Sequence, residues 1–364
     1  MLRNLMGIPL RVVVTGSRGK SSLVRLLHAG FSACGLATYA RVTGVIPREL
    51  SPGNGQTIER TIRRTSPAHV REMLWWLSRV PADADAVVLE NSAVSPGLQS
   101  VASELLSPVL VVWTTLRPDH VEAWGPGREG AARALMGGVP RGVPVAGGPE
   151  LMRSPLPYLF ESNGNALHVP EIADAGHVEA NLALAALVCS LRGLDVSRAV
   201  RAMTALPPDL ADFRVLRDGQ SESDELAVAF SANDVESTER LFAETGWDAG
   251  ETTFLFHHRP DREARLESFL PWIESRSWKE MIFTRQRRPL FPRLSPFALL
   301  SSRPNRNGLN RNTLKWNDAI DSPSSFAAWR RGRGRVFACG NVAGWPLEFL
   351  KLGQNRVEEG VVAR

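Results

Sequence analysis

The 364-residue sequence contains only three cysteines, Cys34, Cys189 and Cys339. Three cysteines cannot form a disulfide framework, and their spacing does not match paired metal ligands, so we interpret them as buried structural thiols. No apolar run approaches the roughly 20 residues that span a bilayer, and the start of the chain lacks the small-residue cleavage site of a secretion signal. These absences argue against a disulfide-rich secreted protein and a membrane-spanning one, and we expect a cytoplasmic chain.

The composition is that of an ordinary globular protein, with 43% hydrophobic and 22% charged residues. At roughly 150 residues per domain, the length predicts two or three domains. The net charge of +5 is unevenly distributed, because residues 285–335 hold twelve Lys or Arg against only Asp318 and Asp321. This basic block is typical of a solvated surface with a flexible loop, or of a face for nucleic acid, an anionic membrane or an acidic polymer.

The first part of the chain alternates strand-like and helix-like patterns. Residues 11–15 form a β-branched run that stops at a glycine turn, and residues 21–34 then place apolar side chains at helical spacing. A helical pattern over 68–79 precedes an apolar strand over 86–90, and a further strand follows over 108–114. Continuous apolar strands separated by helices predict a parallel sheet that is covered on both faces.

The second part of the chain predicts a smaller domain. A long helical pattern over 176–206 ends in paired prolines and acidic residues, which indicate a connector. Strand candidates then follow over 226–230, 253–256, 281–283 and 335–338, with a predicted loop over 289–304. We therefore expect an α/β protein in three parts: a P-loop-type, mostly parallel sheet ATPase domain (1–208), a connector (209–221) and a Rossmann-like α/β domain (222–364).

The strongest motif is Thr-Gly-Ser-Arg-Gly-Lys-Ser-Ser over residues 15–22, between a predicted strand and a predicted helix. Glycines there let backbone N–H groups surround a phosphate, and the helix N-terminus adds favourable partial charge. Lys20 would reach the outer phosphates, and Ser21 would ligate magnesium. Thr15 stands where the usual P-loop consensus has its outer glycine. The prediction therefore depends largely on the strand–loop–helix context. The candidate nucleotide ligands are Gly16, Ser17, Arg18, Gly19, Lys20, Ser21 and Ser22.

Two further polar positions fall at the ends of the next two predicted strands. Glu90 ends the strand over 86–90, and Asp119-His120 lies just beyond the strand over 108–114. Taken singly, Glu90 could cap a helix and His120 could be a buried, hydrogen-bonded imidazole. Ligands of open parallel sheets bind beyond the carboxyl ends of the strands, and magnesium prefers a few carboxylates plus phosphate oxygens. Together the three elements therefore predict a site for ATP and Mg²⁺.

These motifs resemble those of the Mur ligase superfamily, which includes folylpolyglutamate synthase. The segment 176–185 is similar to the superfamily's helix beside the adenine, and Asn181 matches the asparagine that contacts the base. A narrower resemblance is to the ligase subunit of poly-γ-glutamate synthase, and it covers residues 11–352. Its matching segments are 18–21, 43–44, 93–96, 119–126, 208–214, 230–238, 259–262 and 340–344.

The resemblance implies an ATP-dependent amide ligase, which phosphorylates a carboxylate to an acyl phosphate that an amine then attacks. By this resemblance Lys20 neutralises the β- and γ-phosphates, while Ser21 and Glu90 hold a first magnesium ion. His120 would serve a second magnesium ion, with Asp119 as its orienting neighbour, which makes Lys20, Glu90 and His120 the catalytic candidates. Arg214, in the connector, would approach the nucleotide. The substrate-binding candidates are Thr43, Asn233, Asp234, Arg259, Asp261 and Arg262.

The sequence departs from the family's pattern at several positions. No lysine stands within residues 128–141, where many Mur ligases have a modified lysine that ligates metal. Thr115 stands where the superfamily usually has Asn, and His257-His258 stands where the polyglutamate branch has Asn-Cys. Adjacent residues of a strand point to opposite faces, which argues against a metal site at the two histidines. An apolar N-terminal anchor is also missing, so membrane attachment would need a partner protein.

The resemblance predicts glutamate or another amino acid as one substrate, and a chain carrying the acceptor carboxylate as the other. A membrane-embedded synthase partner at the inner face of the membrane and a homo-oligomer are further expectations, and nucleic acid is not expected. Two alternatives stay open. The chain could be a Mur-type ligase for another amino acid or peptide, or a nucleotide-dependent regulatory ATPase whose basic domain binds a partner.

Overall fold

The structure is a computed structural model that describes residues 2–53, 57–62, 71–118, 120–153, 156–172, 176–218, 221–232, 234–260, 262–286 and 315–358. Its contacts divide the chain into two units, Met1–Pro207 and Pro208–Arg364. Each unit is built around its own sheet.

The first unit contains an eight-stranded sheet in the order β4-β3-β2-β5-β1-β6-β7-β8. Its strands are Leu10–Thr15 (β1), Thr38–Val42 (β2), Arg48–Pro52 (β3), Thr57–Thr61 (β4), Ala86–Glu90 (β5), Leu110–Trp113 (β6), Val145–Gly147 (β7) and Leu167–His168 (β8). Its helices are Lys20–Ala33 (α1), Arg71–Leu77 (α2), Val101–Leu106 (α3), Val121–Trp124 (α4), Gly127–Met136 (α5), Leu156–Ser162 (α6), His177–Leu191 (α7) and Val196–Thr204 (α8). Only the pairs β2–β3 and β3–β4 are antiparallel.

The central strand β1 shows why the sheet is covered on both sides. All six of its residues are buried, and successive side chains of a strand point to opposite faces. Val12 and Val14 pack in a cluster with residues of α1, α7 and α8, whereas Val13 packs in a second cluster with residues of α2 and α3. A run of β-branched residues without polar alternation is thus explained by a sheet with helices on both faces.

The second unit contains a five-stranded sheet in the order β12-β11-β13-β10-β9. Its strands are Arg214–Asp218 (β9), Ser221–Ala229 (β10), Thr252–His258 (β11), Glu280–Arg285 (β12) and Arg335–Cys339 (β13). Its helices are Val235–Thr245 (α9), Glu263–Glu274 (α10), Pro323–Arg330 (α11) and Trp345–Glu358 (α12). The edge strand β9 is antiparallel to β10, and the other pairs are parallel. β9 lies inside the segment 209–221, which we predicted to be a connector.

The predicted α/β class, with a mostly parallel first sheet and a smaller second sheet, is confirmed. Two local features differ from the predicted elements. The helical pattern over 176–206 is two helices, because α7 ends at Leu191 and Asp195 caps a new helix by accepting a hydrogen bond from the N–H of Arg198. The strands β2, β3, β4, β7 and β8 of the first sheet were not predicted. The loop predicted over 289–304 lies outside the described residues.

No helix within the described ranges combines the length and the apolar character that crossing a bilayer requires. The three cysteines are free thiols, of which Cys189 and Cys339 are buried and Cys34 is half-buried. Burial raises the pKa of the Cys189 thiol to about 12. The burial predicted for the cysteines is confirmed for Cys189 and Cys339 and is wrong for Cys34.

Candidate active site

The phosphate loop is the four-residue turn Gly16–Gly19 between β1 and α1. Gly16 has a φ of +123° and Gly19 a φ of +79°, in the left-handed region that favours glycine. A Cβ atom on Gly16 would lie 2.3 Å from Thr114 Oγ1, so the loop passes too close to Thr114 for a larger residue. Thr15, which replaces the usual outer glycine, is the last residue of β1 and not part of the turn.

Lys20 is the first residue of α1, and its side chain folds back across the loop. Its Nζ donates a hydrogen bond to the carbonyl oxygen of Gly16 at 2.7 Å. The side chain therefore already lies over the turn where the N-terminus of α1 would bind phosphate. Ser22, in the same first turn, is half-buried.

Ser21, Glu90 and Thr43 converge on one carboxylate oxygen. The Ser21 hydroxyl donates to Glu90 Oε2 at 2.9 Å, and the backbone N–H of Thr43 donates to the same oxygen at 2.7 Å. Glu90 ends β5, which lies between β1 and β2, so three neighbouring strands deliver the three groups to one edge of the sheet. Glu90 is only 3% exposed. A buried carboxylate and a hydroxyl are hard oxygen donors of the kind that Mg²⁺ binds, so this donor set fits a magnesium ion.

His120 lies on the loop that follows β6, and its backbone is left-handed, with a φ of +45°. Its ring packs edge-on against the Trp124 ring, with the ring centroids 5.1 Å apart. The Trp124 indole N–H donates to the carbonyl oxygen of Val94 at 2.6 Å, in the segment that follows Glu90. Trp124 thus links the loop that carries His120 to the loop beyond Glu90. Asp119, its predicted orienting neighbour, lies outside the described residues.

Asn181 lies on α7 and is 9% exposed. Its side-chain amide packs directly against Gly19, because a Cβ on Gly19 would lie 3.0 Å from its nitrogen and 3.1 Å from its oxygen. The structure therefore brings Asn181 to the phosphate loop, although these two residues are far apart in the sequence.

The second unit places its candidate residues at the carboxyl ends of β10 and β11. Asp234 caps α9, since its carboxylate accepts from the Ser237 N–H at 2.8 Å and the Ser237 hydroxyl at 2.7 Å. Arg259 follows β11 directly, and Arg262 immediately precedes α10. Asn233 and Asp261 lie outside the described residues.

Arg214, the first residue of β9, donates from Nη2 to the Leu210 carbonyl oxygen at 2.8 Å. Its Nε is buried and has no hydrogen-bond partner among the described residues. Burial lowers the pKa of this guanidinium, and the nearby Asp212 and Asp209 oppose that effect. An Nε–H in this state is a donor to which an anionic ligand could bind.

Three arginines in the described flanks of the basic block form ion pairs with carboxylates. Arg285 contacts Asp318, Arg333 contacts Glu280, and Arg335 contacts both Glu225 and Glu251. Residues 287–314, the larger part of the block, lie outside the described residues, and the acidic-polymer hypothesis stays a prediction.

The sequence did not predict the two hydrogen bonds that His257 forms. Its Nε2 lies 3.0 Å from the Ala343 carbonyl oxygen, and its Nδ1 lies 2.8 Å from Thr284 Oγ1. A carbonyl only accepts, so Nε2 carries the proton and Nδ1 accepts from the threonine. His258 packs against Trp316 instead. In the part of the chain that the structure describes, three or more His, Cys, Asp or Glu side chains nowhere cluster as metal ligands.

Two family models match the chain. Residues 14–134 match the Mur ligase middle domain, and residues 214–356 match the C-terminal domain of poly-gamma-glutamate synthase CapB. The PGA synthase CapB of Bacillus subtilis (strain 168) is 26% identical over 298 residues, which are 75% of this chain and 74% of that protein. The capsule biosynthesis protein CapB of Bacillus anthracis is 26% identical over 297 residues, which are 75% of this chain and 63% of that protein.

Solved structures show the same fold. FolC of E. coli in complex with ADP has a TM-score of 0.66 and 16% identity, and the match covers 98% of this chain and 92% of FolC. A bifunctional folylpolyglutamate synthase/dihydrofolate synthase with Mn, AMPPNP and L-glutamate bound has a TM-score of 0.65 and 16% identity, covering 97% and 91% of the two chains.

The chain thus carries a region similar to the Mur ligase middle domain in a fold like that of folylpolyglutamate synthase, as in the class of ATP-dependent amide ligases. Within that class, its second unit is of the poly-γ-glutamate synthase CapB type. The family resemblance and the enzyme class predicted from the sequence are confirmed.

Proposed function

We propose that this chain forms γ-glutamyl amide bonds in the synthesis of a poly-γ-glutamate chain. ATP transfers its γ-phosphoryl group to a carboxylate, and ADP leaves. The amine of an incoming glutamate then attacks the acyl phosphate, the amide bond forms, and inorganic phosphate leaves with the carboxylate's former oxygen. The observation that carries the proposal is the convergence of Ser21, Glu90 and the Lys20 loop in a chain whose second unit is of the CapB type.

The first unit supplies the phosphoryl-transfer half of this reaction. Lys20, now held on the Gly16 carbonyl oxygen, moves onto the β- and γ-phosphates and neutralises their charge. Such transfer is catalysed mainly by positioning and charge stabilisation. Asn181, packed on Gly19, would contact the adenine base. Arg214, which has a buried Nε and belongs to the second unit, would approach the nucleotide.

Ser21 and Glu90 would hold a magnesium ion beside the phosphates, and His120, oriented by Asp119, would hold a second. Magnesium would supply charge neutralisation of the phosphoryl oxygens. The Ser21–Glu90 oxygen pair supports the first position, because both groups are hard donors at hydrogen-bond distance from each other. The left-handed backbone of His120 supports a functional role for that residue, since strained backbone clusters at active sites.

The substrates would be glutamate and a chain that ends in the carboxylate to be activated. Thr43 would bind substrate beside Glu90. On the second unit, Arg259 and Arg262 would neutralise substrate carboxylates, with Asn233, Asp234 and Asp261 as further contacts. A membrane-embedded synthase partner would hold the enzyme at the inner face of the membrane, and self-association into a homo-oligomer completes the proposal.

Trapping of the acyl phosphate with hydroxylamine tests this function. The purified chain is given Mg–ATP with D-glutamate, L-glutamate or short γ-glutamyl peptides, and the hydroxamate is measured. We expect a hydroxamate to form, and the compound that yields it identifies the carboxylate that is activated. The Lys20→Ala and Glu90→Gln variants should form no hydroxamate.

Glu104→Gln is the matched control, because Glu104 is an exposed glutamate of the same unit on α3. It should retain full hydroxamate formation. Wild-type protein that binds ATP yet gives no hydroxamate with any γ-glutamyl donor would contradict the proposed substrate, and full activity in Glu90→Gln would contradict the site.

A further inference from the structure

Thr115, the residue that departs from the superfamily's Asn, contacts the phosphate loop through both its backbone and its side chain. Its carbonyl oxygen accepts the backbone N–H of Ser17 at 3.0 Å. Its hydroxyl oxygen accepts the backbone N–H of Arg18 at 2.9 Å and lies 3.0 Å from the Ser17 hydroxyl. Two consecutive peptide groups of the loop are therefore bonded to one residue that lies almost a hundred positions later in the chain.

Thr115 is itself hydrogen-bonded to a residue of the hydrophobic core. Its carbonyl oxygen also accepts the indole N–H of Trp113, a fully buried residue of β6, at 3.0 Å. The Ser17 hydroxyl, in turn, accepts the backbone N–H of Arg117 at 2.9 Å. The neighbouring Thr114 donates its own backbone N–H to the Thr15 carbonyl oxygen at 3.0 Å. The phosphate loop is thus bonded to the first residues after β6, next to the buried Trp113.

We propose that Thr115 is the positioning residue of the phosphate loop, a role that rests on the proposed nucleotide site. A turn with glycines at both ends has many accessible conformations, and ordering it on binding would cost affinity. The Thr115 hydroxyl removes that cost by fixing the Arg18 peptide before nucleotide arrives. Because the N–H groups of Ser17 and Arg18 are already bonded to Thr115, the phosphates are left with the N–H groups from Gly19 into the first turn of α1.

The same geometry decides which part of the site Thr115 serves. Its hydroxyl accepts from Arg18 N and lies 3.3 Å from the Arg18 carbonyl oxygen. Both contacts are on the phosphate loop, so the exchange of Asn for Thr acts on the shape of this loop. We assign Thr115 to phosphate binding and not to the metal position at His120.

The test uses two variants that differ by one hydroxyl. Thr115→Val keeps the shape of the side chain and removes the hydroxyl, whereas Thr115→Ser keeps the hydroxyl. We expect Thr115→Val to bind ADP about tenfold more weakly in calorimetry, as for one lost hydrogen bond, and Thr115→Ser to bind it nearly as tightly as wild type. The Mg²⁺ concentration that half-saturates hydroxamate formation should stay unchanged in both.

Thr204→Val is the matched control, because the Thr204 hydroxyl likewise bonds to the backbone, through two carbonyl oxygens, but at the exposed end of α8. Its affinity for ADP should equal that of wild type. Circular dichroism and the unfolding midpoint establish that each variant is folded.

Hydrogen exchange of nucleotide-free protein gives a second readout that needs no activity. The Ser17 and Arg18 amides should exchange slowly in wild type and Thr115→Ser, and the Arg18 amide should exchange faster in Thr115→Val. Equal ADP affinity and equal exchange in wild type and Thr115→Val would overturn the inference. A Thr115→Ser variant that binds ADP as weakly as Thr115→Val would also overturn it. A wild type that binds ADP but forms no hydroxamate would instead refute the proposed function and leave this inference standing.

Discussion

Among the described residues, each unit contains a buried histidine whose pKa is lowered to about 4, chiefly because burial disfavours the charged ring. His28 lies on α1, and its Nε2 is 3.1 Å from the Thr38 carbonyl oxygen. His257 is fully buried on β11 between Thr284 and Ala343. The backbone hydrogen bonds oppose the effect of burial only in part. We predict that these two histidines make the stability of the protein fall as the pH falls.

The sign follows from comparing the folded and unfolded chains. An unfolded histidine has a pKa of 6.5, above the folded value of about 4, so between these values the unfolded chain binds a proton that the folded chain does not. The free energy of unfolding therefore decreases as the pH falls from 6.5 toward 4. At pH 5 the loss relative to pH 7 is about 2 kcal/mol for each histidine.

The assay compares urea unfolding at pH 7 and pH 5 for wild type, His28→Gln and His257→Gln. Carboxylates titrate in all three proteins, so the difference in pH dependence between wild type and variant isolates the histidine. Each variant should lose about 2 kcal/mol less than wild type over this interval. Hydrogen exchange of peptides from each unit should assign the effect of His28 to the first unit and that of His257 to the second.

His177→Gln is the substitution control, because it makes the same exchange at an exposed position of α7 and so reports the effect of the exchange itself on stability. If His28→Gln and His257→Gln lose as much stability between pH 7 and pH 5 as wild type, the reasoning from burial is refuted.

Two further predictions concern the active site. Gly44→Ala places a methyl group 2.5 Å from Ser21 Oγ, which displaces the hydroxyl from Glu90, so the Mg²⁺ concentration for half-maximal hydroxamate formation should rise about tenfold. Gly97→Ala, where a Cβ has nothing within 4 Å, is the control, and equal Mg²⁺ dependence in the two would contradict the clash. Trp124→Phe keeps an aromatic ring against His120 but removes the indole N–H, so kcat for hydroxamate formation should fall about tenfold with the KM for ATP unchanged. An unchanged kcat would show that this link does not position His120.

Local sequence patterns were enough to locate the parts of the candidate site that lie on the central strands. The apolar runs that became β1, β5 and β6 are continuous and buried on both faces, so they are recognisable without knowledge of their neighbours. Because parallel strands end at the same edge, the phosphate loop and Glu90 could be placed together from the sequence alone.

The edge strands of the first sheet could not be predicted from local sequence patterns. All five residues of β4 are exposed, so no apolar alternation marks it, and β8 contains only Leu167–His168. Such strands form because a neighbouring strand presents unpaired backbone hydrogen-bonding groups. The sequence of the edge strand itself does not show that such a neighbour exists.

The sequence by itself determined the class of the protein, because the phosphate loop, the strand-ending Glu90 and the order of the family motifs are local or ordered signals. Only the tertiary structure decided which groups meet. Ser21 and Glu90 are 69 positions apart, Arg18 and Thr115 are 97, and His257 and Ala343 are 86. Each of these contacts depends on the register of parallel strands and on crossover connections. The type of a residue therefore does not predict which distant residue it contacts. The departures from the family, Thr115 and His257, acquired a physical meaning only when their partners were known.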